Sequence, residues 1–362
     1  MDTESPPLHP ETVRLAAVGD ILLPTDAAGV PTRSDEALFE EIWPVLAEAD
    51  IVHGNLECTL SGEGEIVETE PRVLAIPEQI RGVASAGFNA VTLANNHMFD
   101  CYLPGFHRVR DLLAELNVAH FGAGENLDEA ASATIVERKD IRFAFLSAVD
   151  EETGPTGFAS TDSPGVATMD LDRMLRDTRR LKESVDHVVF SLHWGRERFR
   201  IPSPRQVEQA HALIDAGASM IVGHHPHVAQ GLELHRSRPI AYSLGNFVAA
   251  EVPFTDGDRV TWNQRERTGC LLFADFKKDD IQNVRQVPTY DDGDVIRVDR
   301  SGYGEDLLRD LDHLVARGIT DGLYSREAFR VQKIMPLWRH LRDLVTFRPR
   351  KYRKLFRRLL GR

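Results

Sequence analysis

Cysteine is scarce in this chain of 362 residues: Cys58, Cys101 and Cys270 are few and far apart. That argues against a disulfide framework and suits a reduced compartment. Long apolar runs are also missing, and no window approaches the roughly 18 uncharged residues of a membrane span. The opening decapeptide, MDTESPPLHP, is acidic and proline-rich and has neither the basic nor the apolar region of a secretory leader. The expectation is a cytoplasmic protein. Charge is unevenly spread along the chain. Residues 348–362 hold 8 basic and no acidic residues, which leaves 35 basic against 56 acidic residues in the rest. A body this acidic repels nucleic acid; the basic tail reads as a solvated terminal helix, or as a segment with the charge to bind nucleic acid or to rest peripherally on an anionic inner membrane face. Hydrophobic residues at 42% and charged ones at 27% exclude bulk disorder.

Short apolar runs alternate with amphipathic segments, the pattern of an α/β fold. Strands are expected at 13–18, 50–53, 90–93, 142–148, 187–192, 220–222, 240–243 and 270–275. Most are apolar throughout, as strands covered on both faces are. Helices are expected at 35–49 with Ser34 as cap, 78–86, 106–116, 171–184 and 204–216, the last begun by Ser203-Pro204. Gly87 and Gly217 sit where helix ends want a left-handed residue. The segments 150–164 and 252–268 read as long loops. The domains expected are a flexible N-terminus (1–12), a main domain (13–298) and a helical extension with a basic end (299–362).

Polar residues gather at the strand ends. The strand at 13–18 runs into Gly19-Asp20, the one at 50–53 into Gly54-Asn55-Leu56-Glu57, and the one at 90–93 into Asn95-Asn96-His97 and Asp100. Two more run into His193-Trp194-Gly195 and Gly223-His224-His225-Pro226-His227. In an open α/β sheet that carboxyl edge binds ligands. Carboxylates and imidazoles with one neutral amide suit divalent Mn, Fe or Zn. His225 and His227, two apart at a strand end, are expected to share a face.

In this order GD, NLE, ANNH with Asp100 three residues on, HWG, GHHPH and YSLGNF (242–247) resemble the CapA-like family, over roughly residues 14–290. That family belongs to the calcineurin-like metallophosphatase superfamily. The resemblance implies a four-layer α/β/β/α sandwich with a helical C-terminal extension here, and one or two divalent cations (Mn, Zn or Fe). By the same resemblance Asp20, Glu57, Asn96, His193, His225 and His227 are metal ligands, with Glu57 where a bridging aspartate often stands and His224 as a frame-shifted alternative. His97 resembles the acid that protonates a leaving group, oriented by Asp100. The superfamily's usual Asp-x-His opening is broken, because Leu22 stands two residues after Asp20. Arg72, Arg196 and Glu197 are candidate contacts for an anionic substrate. Asn246 and Ser243 are expected to shape the loop beside the site, with Asn246 able to bond a neighbouring ligand. Trp194 and Cys58 are expected to pack.

Three readings follow. One is a metal-dependent hydrolase of phosphoester or related bonds in capsule, poly-γ-glutamate or peptide-polymer metabolism, acting on an anionic small molecule, peptide or polymer. The second is a metal-dependent peptide epimerase, in which Asp20 or His97 exchanges a proton. The third is a non-enzymatic scaffold of a polymer synthase. An amidohydrolase barrel is the alternative fold, although its His-x-His pair normally opens the motif series rather than closing it.

Overall fold

The computed structural model describes residues 9–26, 29–32, 37–62, 65–154 and 157–336. Its principal strands are β1 (Val13–Leu22), β2 (Ile51–Leu56), β3 (Ala90–Thr92), β4 (Ala119–Phe121), β5 (Thr134–Arg138), β6 (Ile141–Val149) and β7 (His187–His193). They continue with β8 (Met220–His224), β9 (Leu232–His235), β10 (Arg238–Ala241), β11 (Asn246–Ala249), β12 (Thr268–Phe276), β13 (Ile281–Asp291) and β14 (Ile296–Val298). The helices are α1 (Trp43–Leu46), α2 (Pro77–Ser85), α3 (Tyr102–Glu115), α4 (Leu127–Ala130), α5 (Leu171–Leu181), α6 (Pro204–Ala216), α7 (Tyr303–Ala316) and α8 (Asp321–Phe329).

Two mixed sheets result. The first runs β14-β13-β12-β1-β2-β3-β4, with β11 beside the end of β1. The second runs β9-β10-β8-β7-β6-β5. Strands β1 to β4 pair in parallel, as do β6, β7, β8 and β10, so each sheet has a set of carboxyl ends on one edge.

Apolar side chains from both sheets meet between them: Leu15, Ala17, Ile51 and Phe276 from the first, Phe143, Phe145, Val189 and Val222 from the second. Leu307, Leu308 and Leu311 of α7 close that layer. The outer face of the first sheet packs under Ile80 and Val83 of α2 and Phe106 and Val109 of α3. The outer face of the second packs under Met174 of α5 and Leu213 and Ile214 of α6. These four layers are the expected α/β/β/α sandwich, and neither sheet closes into a barrel.

The helix expected at 35–49 shrinks to the single turn α1. Pro44 has no N–H and its ring crowds the carbonyl four residues back, so a helix cannot run through it. Ser34 and Asp35 lie outside the described residues. Helix α6 keeps its expected bounds, with Ser203 Oγ accepting from Gln206 N and Gly217 left-handed at its end. Strands β5 and β9 were not expected. Both are short edge strands, joined to their neighbours by Lys139-Asp140 and Arg236-Ser237, all four with positive φ. Such two-residue hairpins normally advertise themselves with glycine or asparagine, which are missing here. The expected loop at 252–268 contains a two-stranded ribbon, Val252–Pro253 against Arg259–Val260.

Two compact units divide the chain, Met1–Ile319 and Thr320–Arg362. Helix α7 belongs to the first unit and buries its leucines in the layer between the sheets. Of the second unit the described part is α8, capped by Thr320 Oγ1, and one π-helical turn at Arg330–Ile334. The basic tail at 348–362 and the first eight residues lie outside the described residues. Among the described residues no helix is long and apolar enough to cross a membrane.

Phe145 is wholly buried between the sheets, its ring 5.5 Å from Phe121 and 5.7 Å from His53. Phe145→Ala should cost about 3–5 kcal/mol in chemical denaturation. A loss under about 1 kcal/mol would mean that this layer does not carry the packing described.

Candidate metal centre

Close backbone approach makes the site. A Cβ on Gly19 would lie 1.8 Å from Gly245 O, and one on Gly223 would lie 1.9 Å from Tyr242 O. Only glycine lets the chain before Asp20 and the chain before the histidine cluster draw in so closely. The carboxyl ends of β1, β2, β7 and β8 then point their polar residues at one another.

Asp20 is completely buried and accepts from every side. Its Oδ1 takes Asn55 Nδ2 at 2.8 Å and lies 3.3 Å from His224 Nδ1. Its Oδ2 takes His225 N at 3.2 Å and lies 3.3 Å from His227 Nδ1. Glu57 is as deeply buried. Its Oε2 accepts from Asn55 at 3.1 Å, whereas Oε1 has no hydrogen-bond partner. That bare oxygen lies 3.7 Å from His227 Nε2 and 3.9 Å from His193 Nε2. Buried polar groups are almost always satisfied, so an unpaired carboxylate oxygen ringed by imidazoles marks a place for a cation.

Two sets of ligand atoms each lie within 4.8 Å of one another: Glu57, His225 and His227, and Asp20, Glu57 and His193. Glu57 belongs to both, the arrangement needed for a carboxylate that bridges two cations. Bonds of about 2.0–2.2 Å to such atoms are normal for first-row divalent metals. His225 Nδ1 is likewise buried without a partner. Asn96 Oδ1 lies 2.9 Å from His193 Nε2, which brings the expected amide to the cluster. The donor set, mixed oxygen and nitrogen without thiolate, fits the cations expected from the sequence.

The histidines reach the site by a different route from the one expected. Strand β8 ends at His224, and His225 and His227 follow it with φ of 93° and 54°. Their rings converge, 5.9 Å apart, through left-handed backbone rather than through a shared strand face. His224 turns inward instead. Its Nε2 pairs with Ser191 Oγ at 2.8 Å and its Nδ1 faces Asp20, so it braces the carboxylate.

His97 Nδ1 sits 2.8 Å from Asp100 Oδ2, and the same oxygen accepts from Val73 N at 2.9 Å. That pins the ring, with Nε2 3.4 Å from Asn96 Nδ2 at the edge of the cluster. Asn246 Oδ1 holds His227 Nδ1 at 2.9 Å, and Ser243 Oγ bonds Val228 O at 2.9 Å to fix that loop. Trp194 and Cys58 are packed, as expected. Arg196 is exposed and ion-paired with Glu152, and Arg72 is paired with Glu70 at 3.5 Å. Glu197 lies near the imidazoles at the surface. Partial desolvation pushes its carboxyl up, but His227 and His225 outweigh that and hold it below the usual range.

Three contributors lie beyond the sequence expectations. Asn55 bridges the two carboxylates; its place in the Asn-Leu-Glu motif was the available signal. Trp262 stands 5.2 Å from the His227 ring. Glu266, buried and paired with Arg198 at 2.8 Å, accepts Asn246 Nδ2 on its carbonyl. Both belong to the segment read as a loop.

Electrostatically the centre draws in positive charge. Burial drives the Glu57 carboxyl well above its usual range, and the neighbouring Asp20 charge pushes it further. Burial also works against ionised Asp20, but hydrogen bonds from His224 and His227 overcome it and hold that group well down. Burial opposes the cationic form of His227, yet Glu57 and Asp20 raise it to about 10. His193 is pushed down by burial and His225, and His225 falls to about 4 chiefly through burial. Protons on Glu57 and His227 therefore stand where cations would.

The sequence profile of the family described as bacterial capsule synthesis protein PGA_cap matches residues 14–251. The capsule biosynthesis protein CapA of Bacillus anthracis is 33% identical over 247 residues, which cover 66% of this chain and 60% of that protein. The PGA biosynthesis protein CapA of Bacillus subtilis is 31% identical over 276 residues, covering 75% of this chain and 70% of that one. Among solved structures, a phosphatase from Mycoplasma pneumoniae superposes with a TM-score of 0.48 at 14% identity, over 80% of this chain and 95% of that one.

Loading the centre must displace its protons. The raised groups Glu57 and His227 are protonated below their shifted pKa values, so affinity should fall as pH is lowered and rise toward about pH 10. Titration of chelator-stripped protein with Mn²⁺ or Zn²⁺, in buffers of different ionisation enthalpy, should show proton release at pH 7. Each proton displaced steepens log affinity by about one per pH unit. Binding that is pH-independent between 6 and 8 would contradict this protonation pattern.

Proposed function

The chain belongs to the PGA_cap family of bacterial capsule synthesis proteins, and from that footing we propose that it is a metal-dependent hydrolase of phosphoester or related bonds. Its substrate would be an anionic small molecule, peptide or polymer in capsule or poly-γ-glutamate metabolism. One observation carries the reading: two triads of ligand atoms share the half-satisfied carboxylate of Glu57, and the His97–Asp100 pair stands at their edge.

Asp20, Glu57, Asn96, His193, His225 and His227 would hold the cations. When bound, divalent cations neutralise charge developing on phosphoryl oxygens and make water more acidic at neutral pH. The protein residues supply the rest. Asp100 accepts from His97 Nδ1–H and leaves Nε2 to carry a proton to the departing oxygen. Asn55 ties Asp20 to Glu57, and Asn246 holds His227, so the ligand atoms stay together before anything binds. Leu22, where the superfamily usually has histidine, is buried in the apolar core. The centre accordingly relies on Glu57 as the ligand common to both triads.

Asp20 is a poor candidate for the proton exchange an epimerase needs. It is sealed from solvent, so a peptide Cα has no path to its oxygens. A phosphoester panel assayed with Mn²⁺-loaded protein is the direct test. Turnover should drop about 10²–10⁴-fold in His97→Asn with metal content unchanged, and vanish with the metal in Asp20→Asn. A folded, metal-loaded protein that hydrolyses nothing but takes up deuterium at a peptide Cα would establish the epimerase instead. Full-length protein that never retains metal would leave only the scaffold.

A further inference from the structure

A second group of ligands lies away from that centre, on the outer side of the second sheet. Helix α6 presents His211 and Asp215, one turn apart and therefore on one face. Edge strand β9 presents Glu233 and His235, two apart and on one side of the strand, while Leu234 between them is exposed on the other. The imidazoles of His211 and His235 stack with centroids 4.0 Å apart and planes within 9°. One donor atom each from His211, Glu233 and His235 lies within 4.8 Å of the others.

We propose that His211, Glu233 and His235 form a separate Zn²⁺ site that fastens the edge strand of the second sheet to α6. His211 Nε2 and Glu233 Oε1 are 2.9 Å apart. Two ligands at about 2.0–2.1 Å from a tetrahedral Zn²⁺ are about 3.3 Å apart, so a small adjustment lets both atoms share an ion. The supporting groups are in place. Tyr242 Oη donates to Glu233 Oε2 at 2.6 Å, which leaves Oε1 directed at His211. Asp215 Oδ1 takes His235 Nε2 at 2.9 Å and also pairs with Arg236 at 2.9 Å, so Nδ1 is the nitrogen left for the ion. A metal lies in the plane of the imidazole that binds it, so the His235 ring turns off its stack on His211 as the ion enters. A carboxylate on the far nitrogen of a ligating histidine is the usual arrangement around zinc. Water completes the fourth position, since the cluster is only partly buried.

Edge strands need restraint against pairing with other chains, and a cation bridging β9 to α6 supplies it. The cluster uses none of the residues of the main centre, so the two sites can be emptied independently.

The test is Zn²⁺ content of full-length protein after chelator stripping, Zn²⁺ loading and desalting. In an Asp20→Asn, His227→Asn background one equivalent should remain, and adding His235→Ala should remove it and abolish the rise in Tm on Zn²⁺ addition. Should His235→Ala fold poorly, Glu233→Gln keeps an acceptor for Tyr242 and still removes the carboxylate. It should weaken Zn²⁺ binding in that background by more than about tenfold. A background protein that retains no Zn²⁺, or one whose Zn²⁺ is indifferent to either change, would overturn the proposal.

Discussion

Two buried carboxylates that need positive charge beside them govern the main site. Asp20 and Glu57 are fully buried at the ends of neighbouring parallel strands, with Asn55 donating to both. Desolvation and mutual repulsion make a doubly ionised pair costly unless positive charge enters. His227 supplies one such charge by holding a proton far above its usual range. Even so, Glu57 Oε1 is left without a hydrogen-bond partner. The surrounding geometry serves that imbalance: glycine contacts draw the strand ends together, left-handed turns bring in two imidazoles, and Asn246 and His224 hold His227 and Asp20 in place.

Much of this was legible in the sequence for one physical reason. Parallel strands covered on both faces read as unbroken apolar runs, so a polar residue that ends one is conspicuous. Asp20, Glu57, His193 and the histidine cluster were visible in that way, and the structure brings them into one buried group. What depended on contacts between strands was not. His224 sits in the same run of histidines as His225, yet only the positions of Ser191 and Asp20 decide that it turns inward. The expectation that His225 and His227 share a strand face fails, because the strand stops one residue earlier, and the two rings converge through left-handed backbone instead.

The fold shows the same division. Helix α6 was legible to the residue, since Ser203, Pro204 and Gly217 mark both its ends. The helix expected at 35–49 failed at Pro44, where an amphipathic pattern continues but the backbone cannot. The hairpins at Lys139-Asp140 and Arg236-Ser237 gave no sign, because their positive φ values are held by residues that seldom adopt them. The spacings in His211/Asp215 and Glu233/His235 are each readable. Nothing in a linear sequence says that this helix and this strand lie side by side.

The central claim is that Glu57 is shared by two cations. Diffraction from crystals grown with Mn²⁺, recorded where manganese scatters anomalously, tests it most directly. The account predicts two peaks about 3.5–4 Å apart on either side of the Glu57 carboxylate, one near His193 and Asp20 and the other near His225 and His227. A loaded crystal with fewer than two anomalous peaks within bonding distance of Glu57 would contradict it.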